Sequence, residues 1–503
     1  MANFGYVEIL YIIVLLLIVI YSYQQYNTDF WKSRGVVGPQ PLPFFGNAKD
    51  MMFGKISQAD YIRKVYNEFP NEKMVGLFLR EPFLLLRDPE VIKEILIEEF
   101  SKFADRENNF DYSVKYLQTD PMSAHLVNLE PERWRPLRTK YIPSFTATKI
   151  KDMFPLLLEC CKSFEKYFEA EVAKGKPIRC DDLCAKFTIN IISTYAFGID
   201  TSTTENAEIC RKGREIFKVN LVNALRFKIK LYAPTLYALI GYVIPEKNLA
   251  PYFTKFITEV IKYREKHNIK RIDFINTLME IKKHPENLPT VELTDTFIAA
   301  QATGMFAAGF ETSSTTMSHA LYELALNPKI QNKLREEIRE YHAKNNGIWT
   351  SEDIGEMEYL EKVFKETLRM YPPTVILQRR ANCNYTFKGT KITIPKNTPV
   401  WIPLFALQRD SNVFPNPDTF DPERFNEDVN RNSIYYIPFG AGPRKCIGIR
   451  MGSYETKLGI IQILCNHRVD VCEKTLIPYQ TDPNAMLLTP LGGIYLKITK
   501  LET

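Results

Sequence analysis

No two cysteines in this 503-residue chain are spaced Cys-x-x-Cys, so neither a zinc ribbon nor a thioredoxin-like redox pair is available. The nine cysteines are odd in number and scattered: Cys160 and Cys161 adjoin, and Cys180, Cys184, Cys210, Cys383, Cys446, Cys465 and Cys472 stand apart. That pattern excludes a disulfide scaffold and places the folded part in a reducing compartment. No run of five or six basic residues occurs either. Clusters such as Lys228-Ile229-Lys230 are broken by apolar residues and the net charge is only +6, which argues against a nucleic-acid partner. So mild an excess reads as a solvated face, and it also suits a membrane surface or an acidic protein. No internal repeat or low-complexity stretch is present, and no second linker follows residue 50.

What is present is apolar bulk. Hydrophobic residues make up 45 %, and 32 Phe with 27 Tyr are enough to line a roomy interior. From Phe4 to Tyr23 only Glu8 carries charge, close to the ~20 residues that span a bilayer core. The residues before Ile9 are not basic and no small-residue cleavage site follows, so the stretch reads as an uncleaved signal-anchor over residues 1–25. Lys32 and Arg34 beyond it put the remainder on the cytosolic side. A basic and proline-rich hinge, residues 26–50 with Gly38-Pro39-Gln40-Pro41-Leu42-Pro43, then leads into one body over 51–503. Helical periodicity dominates that body, at Ile150 to Ala173, Tyr252 to Lys266, Leu293 to Leu326 and Tyr359 to Met370. Strand-like alternation is short: Met74 to Leu79, Pro82 to Leu86, Lys391 to Ile394 and Gly493 to Ile498. The expected fold is mainly α, a large helical part with a small β-rich subdomain.

The strongest chemical signal is Phe439-Gly440-Ala441-Gly442-Pro443-Arg444-Lys445-Cys446-Ile447-Gly448, running into a helical stretch at Ile449. Glycines around a cysteine let backbone approach a flat, bulky group. A cysteine just ahead of a helix has its thiolate favoured by the helix dipole and by free N–H groups. Arg444 is placed to meet an anionic group on the same ligand. A lone cysteine of this kind would otherwise be an inert turn residue. The whole run, however, resembles the haem-binding loop of the cytochrome P-450 superfamily, with Phe, Gly, Arg, Cys and Gly in register.

That resemblance implies the P-450 fold and haem b, with Cys446 as the axial ligand to iron and Arg444 on a haem propionate, beside Phe439. In these proteins the thiolate pushes electron density toward O–O cleavage. Ala308-Gly309-Phe310-Glu311-Thr312 is similar to the family's oxygen-activating helix segment. There Thr312 can bond back to the carbonyl of Ala308, open a local notch and hold a water, and Glu311 can feed protons. Trp134 and Arg138 share a helix face, and with Arg379 they match propionate-binding residues. Pro136 between them would bend that helix, and His125 is a further propionate candidate. Glu366, Arg369 and Arg424 match a buried structural network. Substrate contacts implied are Phe110, Ala307, Val375 and Leu487, with Phe217 to Tyr242 nearby.

The function implied is a haem-thiolate monooxygenase that takes electrons from NADPH through NADPH-cytochrome P-450 reductase, with cytochrome b5 as a further donor. Lys445, Arg450 and Lys140 could meet an acidic reductase surface. Ala308 to Thr316 and Gly492-Gly493-Ile494 look closest to insect microsomal members that handle plant toxins and insecticides. The alternatives are a biosynthetic hydroxylase of a steroid, terpenoid or fatty acid, a reductase-independent isomerase or dehydratase, and a non-catalytic haem sensor. The last two have no need of Glu311 and Thr312.

Overall fold

The computed structural model describes residues 29–502 apart from 44, 80, 107–120, 200–206, 219–220, 233–235, 238–248 and 427–432, together with scattered positions from 11 to 22. Twelve helices carry the account: α1 (Gln58–Glu68), α2 (Pro131–Tyr141), α3 (Ala147–Val172), α4 (Cys180–Phe197), α5 (Ala207–Phe217), α6 (Leu221–Tyr232), α7 (Leu249–Lys266), α8 (Phe274–Lys283), α9 (Asp295–Leu326), α10 (Pro328–Lys344), α11 (Glu358–Met370) and α12 (Ile449–Leu464). The strands are β1 (Met74–Phe78), β2 (Pro82–Leu86), β3 (Ile178–Arg179), β4 (Leu377–Arg380), β5 (Tyr385–Thr386), β6 (Thr393–Ile394), β7 (Pro399–Ile402), β8 (His467–Val471) and β9 (Tyr495–Lys500). They form sheets of order β1-β2-β7-β4, β3-β9-β8 and β5-β6. The mainly helical architecture with minor sheets expected from periodicity is present.

The expected anchor lies mostly outside the described residues. Those of it that are described, among them Tyr11, Leu15, Ile18 and Tyr21, are helical and exposed. Among the described residues no helix is long and apolar enough to cross a membrane. Farther on, Trp31 is buried and its indole N–H donates to Leu77 O at 2.9 Å, which ties this stretch to β1.

Helix α9 is the axis of the molecule. Thr294 caps its first turn, accepting from Phe297 N at 3.1 Å. Small residues keep the helix narrow, so neighbours close on it from several sides. A Cβ at Gly309 would lie 2.5 Å from Ile192 Cδ1 of α4, and one at Gly459 of α12 would lie 2.1 Å from Met317 Sδ. Thr188 of α4 donates to Phe310 O at 3.0 Å. A helix enclosed on both flanks in this way is held by tertiary packing rather than by its own propensity.

A second rigid point lies at the end of α11. Arg369 and Glu366 are fully buried and pair twice, at 2.7 and 2.8 Å. Arg424 comes within 3.3 Å of the same carboxylate, and Asp421 N donates to it at 2.9 Å. The network expected from Glu366, Arg369 and Arg424 is therefore formed.

Candidate functional site

Cys446 sits in the turn before α12. Its N–H donates to Phe439 O at 2.9 Å, and Lys445 N donates to Gly442 O at 3.0 Å, so the loop folds back on itself. Gly440 and Gly442 have φ of +74° and +70°, and a Cβ at Gly442 would lie 1.9 Å from Leu96 O. Glycine is obligatory at 442 for both reasons. Cys446 keeps accessible surface although protein surrounds it.

Burial dominates and pushes the Cys446 thiol up, while a bond from the Gly448 backbone and the charges of Arg138 and Arg106 pull it down.

The remaining cofactor candidates gather around this loop. Arg444, 3 % exposed, donates to Leu129 O at 2.7 Å and stacks 4.2 Å over the Trp134 ring. Arg138 donates to Lys445 O at 2.7 Å. Pro136 lies inside α2 as expected, and the helix continues through it. The carbonyl that loses its N–H partner, Glu132 O, accepts instead from Thr290 Oγ1 at 3.1 Å, which leaves Trp134 and Arg138 on one face. His125 packs over Gly304, with Asn128 3.3 Å from its ring.

Arg379 is 2 % exposed, and its Nε has no hydrogen-bond partner among the described residues. Burial first, then Arg106 and Arg444, hold its guanidinium well below the usual range. Arg106 was not foreseen. Burial lowers it to about 10, the Cys446 charge opposes that, and its Nε likewise lacks a partner. Buried guanidiniums that repel one another beside a cysteine fit a ligand that brings its own negative charges and a thiolate-binding metal, as haem does with two propionates and iron.

Over on α9, Thr312 Oγ1 donates to Ala308 O at 2.8 Å. The back-bond forms as expected, but the helix continues without a break, because a hydroxyl sharing the i−4 carbonyl removes no backbone N–H. Ala308 is exposed in the middle of this otherwise buried helix, and Ala307, Glu311 and Thr312 are half-buried. Burial chiefly, then Asp181, raises Glu311 to about 7 against the pull of Arg214, so its carboxyl exchanges a proton near neutrality. Helix α12 approaches the same helix, since a Cβ at Gly452 would lie 3.6 Å from Ser313 Oγ. Leu488 N donates to Pro373 O at 3.0 Å, which ties the chain beside Leu487 to the stretch that leads to the buried Val375. Phe110 lies outside the described residues.

A family model described as Cytochrome P450 matches residues 36–498. The chain belongs to the cytochrome P450 family. Cytochrome P450 6B1 of Papilio polyxenes is 37 % identical over 486 residues, covering 94 % of this chain and 95 % of the relative. Cytochrome P450 6a2 of Drosophila melanogaster is 35 % identical over 512 residues, covering 98 % and 100 %. Cytochrome P450 6j1 of Blattella germanica is 34 % identical, covering 99 % and 98 %. The protein is therefore a haem monooxygenase, an oxidoreductase similar to insect members of the family.

Proposed function

We propose that this P450 oxidises lipophilic foreign molecules, such as plant toxins and insecticides, at the site built on Cys446. The observation that carries the reading is the set of buried guanidiniums around an enclosed cysteine, with an alanine-lined helix face elsewhere on the same fold. In this reading Cys446 Sγ would hold the haem iron. Arg106, Arg138, Arg379 and Arg444 would hold the propionates, with Trp134 stacked against Arg444, and Phe439 and Ala308 would contact the cofactor. Haem supplies oxygen activation at iron when bound. Thr312 keeps its hydroxyl proton on Ala308 O, which leaves its oxygen lone pairs to hold a water. Glu311 is the acid whose carboxyl oxygen gives up and regains a proton at neutral pH. Ala307, Val375 and Leu487 line the substrate side, where few polar groups favour one hydrophobe over another.

Electrons come from NADPH through a flavoprotein reductase, with cytochrome b5 as a second donor; Lys445, Arg450 and Lys140 offer it a basic surface. Residues 1–25 anchor the chain, and the segment 26–50 joins them to a catalytic body on the cytosolic face of the endoplasmic reticulum. Removing residues 1–25 is expected to move most of the protein from sedimented membranes to the supernatant with its haem retained. An unchanged distribution contradicts the anchor.

The function itself is tested by titrating the purified holoprotein with furanocoumarins, pyrethroid-like esters, steroids and fatty acids, then measuring NADPH use and product with purified reductase. Several classes are expected to shift the Soret band at roughly micromolar concentration. Thr312→Ala should show the same shifts while releasing its reducing equivalents as peroxide. A response to one class alone would favour a biosynthetic hydroxylase, and NADPH-independent product would favour an isomerase.

A further inference from the structure

Gln301, Gly304, Ala308 and Thr312 follow one another at spacings of three, four and four, and so form one stripe of α9. The last two belong to the site described above. The first two hold a separate piece of chain. Gln301 is 2 % exposed; its amide nitrogen donates to Ala124 O and its Oε1 accepts from Leu126 N at 2.9 Å. An amide bonded at both ends to one stretch of main chain imitates a backbone pairing. An apolar side chain in its place leaves a buried carbonyl and N–H unmet.

One turn on, Gly304 makes room for the residue between those two bonds. A Cβ at 304 would lie 2.5 Å from His125 Cβ, an atom with no freedom to swing away. The segment 123–129 is tied at its ends as well. Ser123 Oγ accepts from Lys230 Nζ of α6 at 3.0 Å, and Leu129 O accepts from Arg444, two residues before Cys446. It is thus tied to α6 at one end, to Gln301 and Gly304 of α9 in the middle and to the cysteine loop at the other end.

We propose that Gln301 and Gly304 are specificity-determining residues, a clasp that seats segment 123–129 on α9 and so sets how large a ligand can pass into the site. This rests on the monooxygenase site as read above. The clasp acts through main chain, so its effect grows with ligand size and is absent for a ligand too small to touch the segment.

Two iron-coordinating probes of different bulk, imidazole and clotrimazole, are mixed rapidly with the parent holoprotein, Gln301→Leu, Gln301→Glu and Gly304→Ala, following the Soret band. Hydrogen exchange at the Leu126 amide is measured in parallel. Association of clotrimazole should accelerate roughly tenfold in Gln301→Leu and Gly304→Ala, the scale of one or two lost methylene contacts, with imidazole unchanged. Gln301→Leu should lose protection at Leu126, whereas Gln301→Glu keeps an acceptor there and should retain it. An unchanged ratio of the two probes in both variants, or undiminished protection at Leu126 in Gln301→Leu, overturns the clasp. Should Gln301→Leu fail to fold, Gly304→Ala decides, because it pushes the segment with the amide intact. If imidazole gives no Soret shift in the parent, the haem reading is what fails, and the clasp stands or falls on Leu126 exchange.

Discussion

Arg369→Leu is expected to destabilise the protein by about 3–5 kcal/mol, the cost of leaving one member of a buried ion pair uncompensated. Glu366 and Arg369 are both fully buried, so neither finds water when the other is removed. Arg424, 3.3 Å from the same carboxylate, offsets only part of this, because its other nitrogens are bonded to Pro415 O and Asn416 O. A fold of ordinary stability has about 5–15 kcal/mol to lose, so the variant should yield little soluble holoprotein. The double variant Glu366→Met with Arg369→Leu should recover part of the loss, since two apolar groups leave no bare charge. Urea midpoints of the three proteins check this. A single variant within about 1 kcal/mol of the parent would show that solvent or another cation reaches the site.

Cys446→Ala is expected to lower product formation by on the order of 10³-fold or more while leaving the fold intact, as removal of a residue central to catalysis does. The loop is held by main-chain bonds, Cys446 N to Phe439 O and Lys445 N to Gly442 O, and neither depends on the thiol. Loss of the small side chain should cost no more than about 1 kcal/mol. The same preparation therefore separates chemistry from folding: circular dichroism is preserved and turnover is not. Turnover near the parental rate would place the ligand elsewhere among the nine cysteines.

The parts of this molecule legible in its sequence were those set by local spacing. Phe439 to Gly448 gave away its loop because the glycines are needed for backbone reasons, and Gly442 bears this out at Leu96 O. Thr312 and Ala308 are four apart on a helix, which is sufficient to anticipate their bond. What escaped depends on pieces of chain far apart. Pro136 looked disruptive because Thr290, 158 residues from Glu132, supplies the missing donor. Arg106 follows no motif and becomes part of the site only when burial brings it beside Cys446 and Arg138. The desolvation that pushes the Cys446 thiol up, and the Arg138 and Arg106 charges that pull it down, come from distant chain and are invisible in the sequence. Gln301 looked like one more helix residue, since nothing in a sequence marks an amide whose partners are main-chain atoms at 124 and 126.

The most direct measurement is the difference spectrum of the reduced, carbon-monoxide-bound holoprotein, recorded for the parent and for Cys446→Ala. Thiolate ligation by Cys446 predicts a strongly red-shifted Soret band in the parent and its complete loss in the variant at equal haem content. A red-shifted band that survives in Cys446→Ala, or a parent that shows only the unshifted band, would contradict it.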